Sequence, residues 1–133
     1  MTTTAIIPID SEPLVVDSSG WLEYVTEDVQ AAQFAPYIER EAPLLVPTIV
    51  LYEVYKKLLM DRGKTAADRF ASQAMRRIVV SLDEDLALAA AQVSLDHRLA
   101  MADAIIYATA QAHQAQLVTG DLHFQGLPGV IIP

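Results

Sequence analysis

Residues 99–124 read LAMADAIIYATAQAHQAQLVTGDLHF. The first half has helical composition, and Asp103 sits at helical spacing from Leu99, Ile106 and Tyr107. The second half turns into a short apolar run, "LVT", followed by Gly120 and a second acid, Asp121. A helix running straight into a short buried strand is the signature of a parallel α/β sheet. The two carboxylates are harder to explain. An ionised carboxylate on an apolar face is costly unless a helix cap, a paired cation or a bound metal compensates it.

The same alternation extends outward in both directions. "LVVD" (14–17) predicts a first strand, and "SSGWLEYV" a helix with Ser18 or Ser19 as its cap. "DVQAAQFAPYIERE" is helical in composition, with Pro36 marking a break or a fresh start. "PLLVP" (43–47) predicts a second strand. Thr48 is the expected cap of the helix "IVLYEVYKKLLMDRG", which Gly63 ends. A helix over "KTAADRFASQAMRR", a strand at "IVVS" (78–81) and an alanine-rich helix over "DEDLALAAAQVSLDHR" follow. "LVT" is the fourth strand and "GVIIP" a short fifth. The expectation is one α/β domain, a parallel five-stranded sheet covered by helices on both faces. Such sheets bind ligands beyond the carboxyl ends of their strands. Asp17 and Asp121 both stand there.

Composition narrows the function classes. The chain has 133 residues, 53 % of them apolar and 20 % charged, which suits one packed core. No apolar run is long enough to span a membrane. "MTTTAIIPIDSEP" lacks the features of a signal peptide, and residues 1–13 read as an extension before the domain. There is no cysteine, which excludes disulfides, thiolate metal sites and a cysteine nucleophile and agrees with a cytoplasmic location. The formal net charge is −8, so nucleic acid must be held by a local basic patch or by metal ions. Seven of the nine basic residues lie between Lys56 and Arg77. Lys56, Lys57, Arg76 and Arg77 are the candidate RNA contacts, with a solvated helix face as the plainer reading.

Asp17, Glu53, Asp103 and Asp121 each have an ordinary explanation as a cap, a rim residue, a first-turn acid or a turn. Together they fall at strand ends and at the starts of helices, which share one edge of a parallel sheet. Four carboxylates in one pocket repel each other, an arrangement that magnesium or manganese would make reasonable. His97, His113 and His123 show no two-histidine metal spacing, and His97 and His113 read as surface residues.

"LVVDSSGWLEY", "PTIVLYEVYKKL", "RLAMADAIIYATA" and "LVTGDLHF" resemble the successive motifs of PIN-domain ribonucleases, nearest to the VapC-type toxins of toxin–antitoxin pairs. The resemblance runs from residue 14 to 133. It implies a three-layer α/β/α sandwich and a Mg2+- or Mn2+-dependent endoribonuclease. It also implies a homodimer and a small cognate antitoxin as partner. Residue by residue, Asp17, Glu53, Asp103 and Asp121 match the family's metal-binding acids. Ser18 and Thr119 match its supporting hydroxyls. His123 departs from a commonly acidic position, which leaves one ion or two open. Phosphatases of the haloacid dehalogenase type and receiver domains fit poorly, because both need a lysine later in the chain than Lys64. The alternative is a catalytically weak or inactive PIN-like module whose acidic pocket receives a basic partner segment.

Overall fold

The computed structural model describes residues 12–133. The segment before residue 12, which holds most of the expected N-terminal extension, lies outside the described residues. In chain order the elements are β1 (Leu14–Val16), α1 (Ser18–Val25), α2 (Ala31–Glu39), β2 (Leu44–Pro47), α3 (Thr48–Asp61) and α4 (Lys64–Ala74). They continue with β3 (Ile78–Val80), α5 (Glu84–His97), α6 (Met101–Ala112), β4 (Gln116–Val118), a 3-10 turn (Leu122–Phe124) and β5 (Val130–Ile131).

The strands form one sheet in the order β3-β2-β1-β4-β5. Every neighbouring pair is parallel, with Val15 opposite Leu45 on one side and Leu117 on the other. The chain steps outward from β1 through β2 to β3, then returns across the sheet to β4. Right-handed crossovers in opposite directions place the helices on opposite faces. Helices α1 to α4 cover one face, with α1 packed on both α2 and α3, and the α5–α6 pair covers the other. The result is a three-layer α/β/α sandwich.

The central strands are buried on both sides, which is why they read as uninterrupted apolar runs. Val15, Val16, Val46, Leu117 and Val118 form the middle of the core, with Trp21, Phe34, Phe70, Tyr107 and Phe124 packed around them. β3 has the same apolar sequence but lies at the sheet edge, so Ile78 and Val79 are exposed.

Several local expectations are corrected. The cap of α1 is Asp17, whose carboxylate accepts from the Gly20 amide, and not Ser18 or Ser19. Pro36 does not break α2, because Phe34 and Ile38 on either side of it are buried and hold the turn in place. Pro47 precedes α3, so Thr48 is its first helical residue rather than its cap. The Thr48 hydroxyl instead accepts from the Leu82 amide at 3.4 Å. Gly63 does close α3, at a positive φ of 91° that favours glycine, and it also opens α4. His113 is exposed as expected, but His97 is half-buried with its ring edge-on to Tyr107.

Candidate metal centre

The strand order reverses direction between β1 and β4, and in such sheets ligands bind beyond the carboxyl ends of the strands at that point. Asp17 follows β1 directly, and its amide donates to the Val118 carbonyl at 3.1 Å, which fastens it to the end of β4. The residue is 4 % exposed. Ser19 Oγ lies 2.9 Å from both oxygens, the Gly20 amide donates to Oδ1 at 2.9 Å, and Thr119 Oγ1 donates to Oδ2 at 2.6 Å. Burial pushes the Asp17 carboxyl above its ordinary range. The bonds from Thr119, Gly20 and Ser19 pull it back, and the charge of Asp121 pushes it up again.

Thr119 does two things at once. It donates to Asp17, and it accepts from the Asp121 amide at 2.9 Å. One buried hydroxyl thus sets the spacing of two acids on neighbouring strands. Asp121 in turn accepts from the His123 amide at 2.9 Å, and the His123 ring Nδ1 lies 3.0 Å from the same oxygen.

Glu53 reaches the site from α3. Ser18 Oγ, at the start of α1, donates to its Oε1 at 2.6 Å and fixes its direction. Asp103 comes from the first turn of α6, where the helix dipole favours an acid. It does not cap that helix. The cap position is Ala100, with no side-chain bond. The Asp103 carboxyl is pushed up first by burial, then by the charges of Asp121, Glu53 and Asp17, with His123 opposing. The charges of the other three acids singled out in the sequence are thus all felt at Asp103.

Among the described residues no lysine or arginine forms an ion pair with any of these four acids. Asp103, Asp121 and His123 each present one ligand atom, and the three atoms lie within 4.8 Å of one another. Two carboxylates and an imidazole suit a hard or borderline divalent cation. Burial and the neighbouring acids both raise Asp103, and the repulsion among the acids is what such a cation would relieve. The donor set fits the ion. His123 enters this set although its position reads as a departure in the sequence. Ser19 is the other addition. Nothing in "DSSG" distinguishes which serine turns back to Asp17 and which reaches across to Glu53.

The basic candidates are divided. Lys56 and Lys57 follow Glu53 on α3 and border a hollow that Glu53 also lines. Lys57 pairs with Asp61 at 3.1 Å on an exposed surface, and Lys56 lies 5.6 Å from the centre of the Tyr52 ring. Arg76 and Arg77 directly precede β3, at the opposite sheet edge from the acids. Arg77 is moreover engaged, donating to the carbonyls of Ile38, Arg40 and Ala42 at 3.0 to 3.2 Å. The structure does not bring this pair to the acidic site.

The chain is similar to several solved structures. A toxin–antitoxin complex from Klebsiella pneumoniae shares 24 % identity and a TM-score of 0.77, covering 90 % of this chain and 97 % of that one. The Sarcin-Ricin loop cleaving toxin VapC20 of Mycobacterium tuberculosis shares 19 % identity at a TM-score of 0.76, covering 90 % and 98 %. VapBC2 of Rickettsia felis, bound to a DNA fragment from its promoter, shares 13 % identity at 0.70, covering 91 % and 97 %. At these identities the likeness is one of fold. No curated protein sequence matches the chain. The family model of the PIN domain matches residues 14–130, from the start of β1 to β5. The chain belongs to the PIN domain family.

Proposed function

We propose that this PIN domain is a divalent-metal-dependent endoribonuclease, the toxin of a type II toxin–antitoxin pair. The observation that carries the proposal is that the charges of Asp17, Glu53 and Asp121 are all felt at Asp103, while among the described residues no lysine or arginine pairs with any of the four. A bound Mg2+ or Mn2+ supplies an activated water and counter-charge for a phosphodiester oxygen that leaves. The protein's own part is positional. Asp103, Asp121 and His123 would hold the ion, while Glu53 is kept facing it by Ser18. Asp17, with its hydrogen bonds satisfied from within, fixes Thr119 and through it the Asp121 backbone.

The partner follows from the company the fold keeps. Two of the similar structures are, by name, complexes of a toxin with its antitoxin or of VapBC with DNA. A groove of about 640 Å³ between the α1–α2 pair and the α3–α4 pair gives a small antitoxin a face to occupy. Homodimer formation and a cytoplasmic site of action belong to the same reading. Among the described residues no helix is long and apolar enough to cross a membrane.

The test is cleavage of a mixed-sequence RNA by the purified protein with Mg2+ or Mn2+, with excess chelator, and with Asp103→Asn. Cleavage that requires metal and is lost in the variant is expected. Full activity in chelator overturns the mechanism. Metal binding without any cleavage favours the non-catalytic module that receives a basic segment in this pocket.

A further inference from the structure

Beside the acids, on the outer side of α3, lies a hollow of about 480 Å³ with a different chemistry. Two stripes of α3 make its floor. Ile49, Glu53 and Lys57 repeat every four residues, as do Tyr52, Lys56 and Met60, so each set lines one strip of helix surface. Met101 and Ala102, at the start of α6 and just before Asp103, close the other side. The hollow therefore touches the metal centre through Glu53 and through the turn that carries Asp103.

Its lining is unusual for an exposed surface. Tyr52, Met60 and Met101 are 53 %, 69 % and 73 % exposed, and they stand next to two lysines. Lys56 Nζ lies 5.6 Å from the Tyr52 ring centre, over one face of the ring. An aromatic plane, flexible thioethers and ammonium groups around one hollow match the parts of a nucleotide: a flat base and a phosphate. The charges are complementary as well. The acids repel a polyanion, whereas this flank attracts it.

We propose that Tyr52 is a base platform that seats one nucleotide of single-stranded RNA beside the scissile phosphate. The base stacks on the ring face that Lys56 does not cover, and Lys56 and Lys57 take the neighbouring phosphates. Unstacked bases of single strands and loops reach such a platform, whereas bases within a duplex do not. This rests on the ribonuclease reading above, but its test is separable from that reading.

The experiment measures binding of a fluorescently labelled ten-nucleotide single-stranded RNA in chelator at low salt, so that no cleavage occurs. Wild type, Tyr52→Phe and Tyr52→Ala are compared. Each is titrated with the intact RNA and with a series carrying a single abasic site at successive positions. Base–aromatic stacking predicts that Tyr52→Ala weakens binding about ten-fold, while Tyr52→Phe stays within about two-fold of wild type. One abasic position should weaken wild type by a similar factor and leave Tyr52→Ala unaffected, since the two changes remove the same contact. Equal affinity of Tyr52→Ala and wild type overturns the proposal, as does a wild type that binds no RNA. A shift in oligomeric state on sedimentation with RNA affinity unchanged also overturns it, and assigns the hollow to a subunit contact. Wild type that binds as predicted but never cleaves with metal sinks the nuclease reading and leaves the platform standing.

Discussion

Asp103 and Asp17 are single residues whose protonation is tied to the stability of the whole fold. Both carboxyls are raised from an ordinary value of 3.8, chiefly by burial. Between that value and the raised one, the folded chain holds protons that the unfolded chain has lost. Their contribution to stability is therefore complete below pH 3.8 and is lost as pH rises through the folded value. In chelator, Asp103→Asn removes one such group and lowers the repulsion on its neighbours. Its melting temperature should equal or exceed that of wild type near neutrality, with the advantage shrinking as pH falls toward 4. Thermal melts over a pH series check this, and parallel curves for the two proteins would show that Asp103 carries no electrostatic strain. Thr119→Val should behave in the opposite sense. It strips a donor from buried Asp17 and an acceptor from the Asp121 amide, a loss of about 1–3 kcal/mol for a buried carboxylate left under-bonded. At this scale the sequence offered the acids and, by resemblance, Ser18 and Thr119, but neither Ser19 nor which acid each hydroxyl serves. Ser18 and Ser19 are adjacent and chemically identical, and only the start of α1 decides that one faces Glu53 and the other Asp17.

At the scale of elements, all five strands were legible, because short apolar runs bounded by Pro, Gly and acids have few other uses. The helix caps were less so. A Ser or Thr before an apolar run is a strong local signal, yet Asp17 and Pro47 took those places. In α1 the winning residue is also a candidate site residue, so the cap does not exclude a role in the site. Pairing order was not legible either, since it depends on contacts far apart in sequence, and with it went the fate of Arg76 and Arg77. They are close to the lysines along the chain, but α4 carries them to the far end of the sheet. Arg77 joins the end of α2 and the entry to β2 through three carbonyls. Arg77→Gln should therefore destabilise by about 1.5–3 kcal/mol in denaturant melts while leaving RNA affinity unchanged. Unchanged stability would show these bonds to be replaceable by water. Gly20 makes a parallel case inside α1. A Cβ there would meet Val16 Cγ1 at 2.7 Å and the Phe34 ring at 2.8 Å. Gly20→Ala should cost about 1–3 kcal/mol by overpacking, measured in the same melts. A stable variant would mean that α2 can slide away from α1.

For the whole molecule the problem is charge. If the chain is the ribonuclease proposed above, a surface with a formal charge of −8 must attract a polyanion to four acids. A bound metal would neutralise the acids for one phosphate only, so on that reading the flanking phosphates need cations of their own. The fold leaves Lys56 and Lys57 at the rim of the acidic site and removes Arg76 and Arg77 from it. Each phosphate contact with single-stranded RNA contributes about 0.7 to the slope of log affinity against log salt. Lys56→Gln with Lys57→Gln should therefore flatten that slope by about 1.4, at two contacts, and weaken binding with little regard to sequence. Arg76→Gln, which removes a positive charge away from the acids, serves as the control, and its slope should equal that of wild type. Calorimetric titration with Mn2+ should give the same metal affinity for all three proteins, since none of the substituted residues belongs to the Asp103, Asp121 and His123 set. The reverse outcome, a flatter slope for Arg76→Gln and none for the lysine pair, would place the RNA at the other edge of the sheet. The scissile phosphate could then reach the acids only from a second copy of the chain.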